Sequence, residues 1–311
     1  MNKKDNFLRA VHHNSPEWIP YWQEGSFTYI LPTFVEMPEL GGYDDWGCLW
    51  EYSEVTGPYP SHEHRIKNVT SIPYYNIPDP YAPGLLDTAK EALKQINRVE
   101  TVVACNNHIG MHERSYILMG MEEYLIEFAL NESLVFQLID RIFEFKYHFT
   151  KRMLDELDVE GIWLGDDWGM QTGLFFSPQK WREIIKPRLK KIYDLIHDRG
   201  KIIFQHSCGK IEAIIQDLVE IGLDVWNPCQ PINDLKSLKE QYGDKLTFMG
   251  AVDSVIMATE GPAEVEKEVK LRIEQLGEGG GFILYPSHHV PFPEYNIRSF
   301  IDASIKNGKY T

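Results

Sequence analysis

The sequence predicts an α/β fold, a single (β/α)8 TIM barrel with an irregular, aromatic-rich N-terminal extension, on three observations. From about residue 85, short β-branched or aromatic runs alternate with amphipathic helical stretches. No G-x-G-x-x-G or phosphate-loop motif follows an early strand, which removes the main reason for an open dinucleotide-binding sheet. Nearly every candidate strand runs out into polar or ligand-capable residues, and a barrel gathers such ends around one pocket. Repeated strand–helix units with connections long enough for crossovers require parallel strands in right-handed βαβ units.

In chain order, residues 1–84 hold an N-terminal helix, a first strand and lid-like loops. The stretch from Ser15 to about Pro83 is rich in Pro, Gly and aromatics, with turn signals at Gly41-Gly42 and Gly57-Pro58 and four tryptophans, Trp18, Trp22, Trp46 and Trp50. Residues 85–311 carry the regular repeats of the same domain. Strands are expected at Thr101–Asn106, Gly161–Asp166, Lys201–His206, Asp224–Pro228, Leu246–Ala251 and Gly281–Pro286. The clearest helices are Glu132–Leu157, Pro178–Arg199, Ile211–Ile221, Pro262–Leu276 and Tyr295–Asn307. Ser177-Pro178 reads as an N-cap followed by a first-turn proline, and Arg199-Gly200 as a terminal cation and a C′ glycine.

Composition excludes several classes. Apolar residues are 43% and charged residues 25% of 311, enough for a sizeable core. Lys+Arg 31 against Asp+Glu 46 gives a formal charge of −15, which repels nucleic acid and anionic membrane surfaces. No stretch has the length of uncharged apolar sequence that a membrane span needs, and no signal-peptide core follows the N-terminus, so a cytoplasmic protein is expected. Cys48, Cys105, Cys208 and Cys229 are too few for a disulfide scaffold and form no C-x-x-C pair.

The candidate chemistry sits at the strand ends. His206 and Cys208 form H-x-C, and imidazole with thiolate is a donor pair that zinc prefers. Alternation along an extended segment puts the two on one side. A third donor is available from His288 or His289 after the last strand, or from Cys229. Asp166 and Asp167 open D-D-W-G, where adjacent carboxylates repel and one can hold a proton or receive a substrate donor. The bland alternative for that pair is loop or helix capping. Asn106, Asn107 and His108 can bond a substrate oxygen or close a turn.

Several segments together resemble the uroporphyrinogen decarboxylase superfamily, which includes cobalamin-dependent methyltransferases. They are Asn6-Phe7-Leu8-Arg9-Ala10, Glu17-Trp18-Ile19-Pro20-Tyr21-Trp22, Gly165-Asp166-Asp167-Trp168-Gly169, Ser177-Pro178 with Ile185-Lys186-Pro187, Phe204-Gln205-His206-Ser207-Cys208-Gly209 and Asp224-Val225-Trp226-Asn227-Pro228. The resemblance spans nearly the whole chain and implies one barrel. The decarboxylase places R-Q-A-G-R after its first strand to receive substrate carboxylates. Here Trp22-Gln23-Glu24-Gly25-Ser26 stands there, so both cationic positions are lost and decarboxylation of a polycarboxylate is not expected. The chain is more similar to the methyltransferase branch, whose zinc uses an H-x-C pair and a cysteine after the last strand. His206 and Cys208 match the pair, whereas Tyr285-Pro286-Ser287-His288-His289 puts His288 where that cysteine is expected.

The resemblance therefore implies Zn2+ on His206, Cys208 and His288, with Glu24, Cys229 and His289 as spare donors. Replacing a thiolate by neutral imidazole makes the ion a stronger Lewis acid, which suits an O-methyl donor. The expected activity moves a methyl group from a small methoxylated substrate, aromatic ones among the candidates, to the cobalt of a corrinoid. Asp166 or Asp167 serves the substrate or its leaving oxygen, and Gln23, Asn106, Trp168 and Gln205 supply substrate contacts. No D-x-H-x-x-G carrier signature is present, so the corrinoid is expected on a separate carrier protein. The alternatives are a metal-independent lyase of the same superfamily and a non-catalytic corrinoid- or tetrapyrrole-binding protein. A homodimer is compatible with the sequence.

Overall fold

The computed structural model describes residues 1–54, 56–288 and 290–310. Its first element is the helix Lys3–Val11, started by Asn2, whose side chain accepts the Asp5 amide at 2.7 Å. Phe7, Ala10 and Val11 form its buried face. Ten strands follow. They are β1 (Phe27–Ile30), β2 (Gly42–Tyr43), β3 (Leu49–Ser53), β4 (Gly57–Pro60), β5 (Val102–Asn107), β6 (Gly161–Gly165), β7 (Ile202–His206), β8 (Val225–Asn227), β9 (Thr247–Val252) and β10 (Phe282–Pro286).

Seven of them make one parallel sheet in the order β1-β5-β6-β7-β8-β9-β10, consecutive except for the excursion between β1 and β5. The ring is closed by the segment before β1. Tyr21 bridges Leu284 in parallel, with Trp22 N–H donating to Leu284 O and Leu284 N–H to Pro20 O, both at 2.8 Å. The TIM-type architecture expected from the sequence is present, with the eighth stave reduced to that one bridge. No described helix is long and apolar enough to cross a membrane.

The expected strands match the observed ones within a residue or two, and the helix Pro262–Leu276 has the expected bounds. The expected helix Pro178–Arg199 is instead two, Pro178–Ile184 and Lys186–His197. Pro187 has no N–H to continue the first ladder and fits the opening turn of a second.

The barrel lumen is filled by Val102, Ala104, Trp163, Ile202, Phe204, Val225, Met249 and Ile283, and Phe7 and Val11 of the first helix plug it from below. Phe7 stacks on Phe27 with centroids 5.4 Å apart. A larger core lies between the sheet and its helices. The loops of the N-terminal extension carry the small antiparallel sheet β2-β3-β4 and lie against the open end. Buried charge anchors them. Arg114 Nη1 meets Asp44 Oδ2 at 2.5 Å and Arg114 Nη2 donates to Glu36 O at 3.0 Å, while Lys146 pairs with Glu36 and donates to Asn107 Oδ1 at 2.8 Å. Asp44 also accepts the Cys48 amide at 2.7 Å and the Trp50 indole at 3.0 Å, so its charge is fully bonded.

Candidate metal centre and active-site cavity

The C-terminal ends of the strands open into a cavity of about 1170 Å3. Its chemistry concentrates where β7 ends. His206 is the last residue of β7, and Cys208 follows two positions later on the same side. Cys208 Sγ lies 3.3 Å from His206 Nε2, and Asp167 Oδ1, from the loop after β6, lies 3.7 Å from that nitrogen. One donor atom from each of the three lies within 4.8 Å of the others.

Two glycines make this convergence possible. Gly209 has φ +83°, and a Cβ there would sit 2.2 Å from the Gly169 carbonyl carbon. A Cβ at Gly169 would sit 2.7 Å from Cys208 O. Only glycines let the D-D-W-G and H-x-C-G loops cross this closely, and the crossing sets Asp167 Oδ1 2.7 Å from the Cys208 amide.

Hydrogen bonding fixes which imidazole nitrogen faces the cluster. Asn227 Nδ2 donates to Met249 O at 3.2 Å, so its Oδ1 accepts from His206 Nδ1 at 2.7 Å. The neutral ring then presents its Nε2 lone pair to Cys208 and Asp167, the orienting contact usual behind a metal-bound histidine. Burial, then the charges of Asp167 and Glu113, push the Cys208 thiol far above its ordinary value. A divalent cation at that point would reverse this, because coordination deprotonates a thiol. Imidazole, sulfur and carboxylate in one cluster fit zinc.

Around the cluster, His108 packs on His206 with ring centroids 4.9 Å apart. Burial, then His206, lowers His108 to about 3. It is therefore neutral, and Trp163 Nε1 donates to its Nδ1 at 3.3 Å, which leaves its proton on Nε2. Tyr29 and Phe27 pack on Trp163 at 5.4 Å and 5.8 Å, extending an aromatic wall. Among the described residues that line the cavity none is lysine or arginine, while Glu36, Glu39, Glu113 and Asp167 are acidic.

The expected residues divide along the two-residue alternation of strands. Gln23, Asn106, Asp167, His206, Cys208 and His288 line the cavity. Gln23 sits at φ +70° in a tight turn in which Glu24 N–H donates to Tyr21 O at 3.1 Å. His288 is exposed and lies outside the 4.8 Å cluster, in which Asp167 takes the third place. Its partial desolvation, then the charge of His206, lowers its pKa.

Five others face away from the cavity. Asp166 is buried and accepts the backbone amides of His112 and Glu113 at 3.1 and 2.8 Å, so it caps the helix Met111–Met119. Burial nevertheless pushes its carboxyl up to about 6. Trp168 packs edge-on against Trp181 at 5.2 Å. Gln205, one position off the His206 side, accepts the Tyr193 hydroxyl at 3.0 Å and donates to His206 O at 2.9 Å. Cys229 is wholly buried, with its thiol pushed far up by burial. Glu24 is buried and takes the Trp18 indole N–H. His289 lies outside the described residues.

Sequence reasoning missed Glu113, Tyr116, Asn227 and the Trp163 wall. Asn227 is a polar residue at a strand end, a signal already used for its neighbours. Glu113 carried no signal, because an acid in the first turn of a helix is expected for the dipole alone.

A parallel barrel with a cation-ready cluster at the C-terminal ends of its strands defines an enzyme-type site on a TIM scaffold. The chain belongs to the uroporphyrinogen decarboxylase (URO-D) family, whose model matches residues 40–306. Two methylcobamide:CoM methyltransferases MtaA, from Methanosarcina barkeri and from its strain Fusaro / DSM 804, are 26% and 24% identical over 130 residues. That match covers 41% of this chain and only 36% of each relative's length. A solved methyltransferase from Methanosarcina mazei superposes with a TM-score of 0.77 at 16% identity, over 98% of this chain and 99% of its own. It bears out the fold.

Proposed function

We propose that the protein is a corrinoid-dependent methyltransferase that moves a methyl group from a small methoxylated substrate to the cobalt of a corrinoid held by a separate carrier protein. The observation that carries this reading is the cluster itself: His206 Nε2, with its other nitrogen tied to Asn227, aimed at Cys208 Sγ beside Asp167 at the cavity mouth. Asp167, His206 and Cys208 would hold the zinc, and His288, which lines the same cavity, is the candidate for a further donor. Bound there, zinc supplies Lewis acidity to a substrate oxygen.

The chain's own residues then bind and orient. The Trp163 wall receives the body of the substrate, Asn106 and Gln23 offer polar contacts, and neutral His108 presents an N–H toward the reacting oxygen. The cavity exceeds the roughly 300–1,000 Å3 usual for one small ligand, which leaves room for a second reactant to approach from the mouth. The distant match to enzymes named for methylcobamide supports the same class. A cytoplasmic location belongs to this proposal.

Metal analysis tests it first. Near-stoichiometric zinc is expected in the wild type and its loss in a His206→Ala, Cys208→Ala double variant; a zinc-free wild type rejects the reading. Mixed with a reduced corrinoid protein and methoxylated compounds, the enzyme should convert Co(I) to methyl-Co(III), read by the visible spectrum. Failure with every methyl donor rejects methyl transfer.

A further inference from the structure

The cavity holds more unpaired polarity than the donor cluster uses. Glu113 stands in the first turn of the helix Met111–Met119, only 7% exposed, and lines the cavity. Its Oε1 takes the Tyr116 hydroxyl at 3.5 Å, but its buried Oε2 has no partner, and neither has Asn106 Oδ1 in the same lining. Buried polar oxygens without partners cost free energy that a bound ligand can relieve. The apolar side is the Trp163, Tyr29 and Phe27 wall, which suits a flat ring. Its charge pattern discriminates as well. No described lining residue is cationic, and Glu36 is already paired with Lys146.

We propose that Glu113 is the specificity-determining contact for an uncharged methoxy-aromatic ligand that bears a ring hydroxyl. This deepens the methyl-transfer reading and rests on it for the methoxy group alone. A hydroxyl both donates and accepts, so it satisfies Glu113 Oε2 whichever proton state the carboxyl holds. Glu113 and Cys208 line the same cavity, so a ring hydroxyl at Glu113 and a methoxy group on the same ring would share one site. A ring carrying a carboxylate would meet acids and no guanidinium or ammonium. A site built for the hydroxyl rejects the analogue that lacks it, since Oε2 is then left bare.

Calorimetric binding to the purified protein, with no corrinoid partner present, tests this with three probes: 2-methoxyphenol, methoxybenzene and 4-hydroxy-3-methoxybenzoate. We expect 2-methoxyphenol to bind about tenfold tighter than either of the others, on the scale of one neutral hydrogen bond. In Glu113→Leu the preference over methoxybenzene disappears, and in Glu113→Gln, which keeps a polar partner and the side-chain shape, part of it returns. Equal or tighter binding of the carboxylated probe, a preference that survives in Glu113→Leu, or no binding of any probe overturns the proposal. Retained hydroxyl preference without cobalt methylation sinks the methyl-transfer reading and leaves the assignment of Glu113 standing.

Discussion

Two regions of this molecule bury charged and polar groups, and they treat them oppositely. Under the N-terminal loops each buried charge has an opposite partner, Arg114 meeting Asp44 and Glu36 and Lys146 meeting Glu36 and Asn107, with Arg114 Nε alone of that guanidinium left unbonded. At the barrel mouth Glu113 Oε2, one residue from Arg114 on the same helix, and Asn106 Oδ1 near the end of β5 are bare, and burial pushes the Cys208 thiol up. Neighbouring residues, Glu113 and Arg114, thus belong to different designs. Closed networks fix a structure, and open ones wait for a ligand. Stability and function are written in the same residue types, separated by whether the partner comes from the chain.

The largest test of that contrast is Arg114→Ala. It leaves Asp44 buried without its cation and should destabilise the protein by about 3–5 kcal/mol in urea unfolding. A loss below 1 kcal/mol would erase the distinction. Next comes Asn227→Ala, which frees the His206 ring. Zinc affinity should fall roughly 10–100-fold by competition with a chelator while the unfolding midpoint hardly moves.

The third concerns acid. His112 is lowered to about 3 by burial, against an ordinary 6.5, so the unfolded chain binds its proton first and stability is lost as pH falls from 6.5 toward 3. His112→Phe should flatten that limb by up to about 1.4 kcal/mol per pH unit. An unchanged slope would show that His112 is solvated. The smallest effect is expected from Glu113→Leu, which removes a bare oxygen and should leave stability equal or raise it by about 1 kcal/mol. Marked destabilisation there would place Glu113 among the closed networks.

Legibility followed the same division. The six later strands were readable because β-branched runs end at polar residues, and helix ends because Ser177, Pro178 and Pro262 carry local capping chemistry. β1 was hidden in the aromatic N-terminal stretch, since Phe27–Ile30 is short and its pairing with Val102–Cys105 is non-local. His206 and Cys208 were found because their spacing is itself the signal. Asp166 and Asp167 could not be told apart without knowing which faces inward, and one residue of phase also decided Gln205 against His206. The Arg114–Asp44 and Lys146–Glu36 pairs join residues far apart in the chain, so no local pattern announces them.

Among the described residues the barrel sheet itself shuts through one bridge, Tyr21 against Leu284. The stave that precedes the site must therefore wait for the last one to be made, and Phe7 has no complete lumen to plug until then. On a ribosome the earlier staves would emerge with an open edge, and slow long-range pairing would then make assembly of the mouth a late event. A circular permutant that joins the termini and opens the chain in the loop before β5 would bring those staves together early, and its refolding rate would report how much of the delay belongs to that single seam.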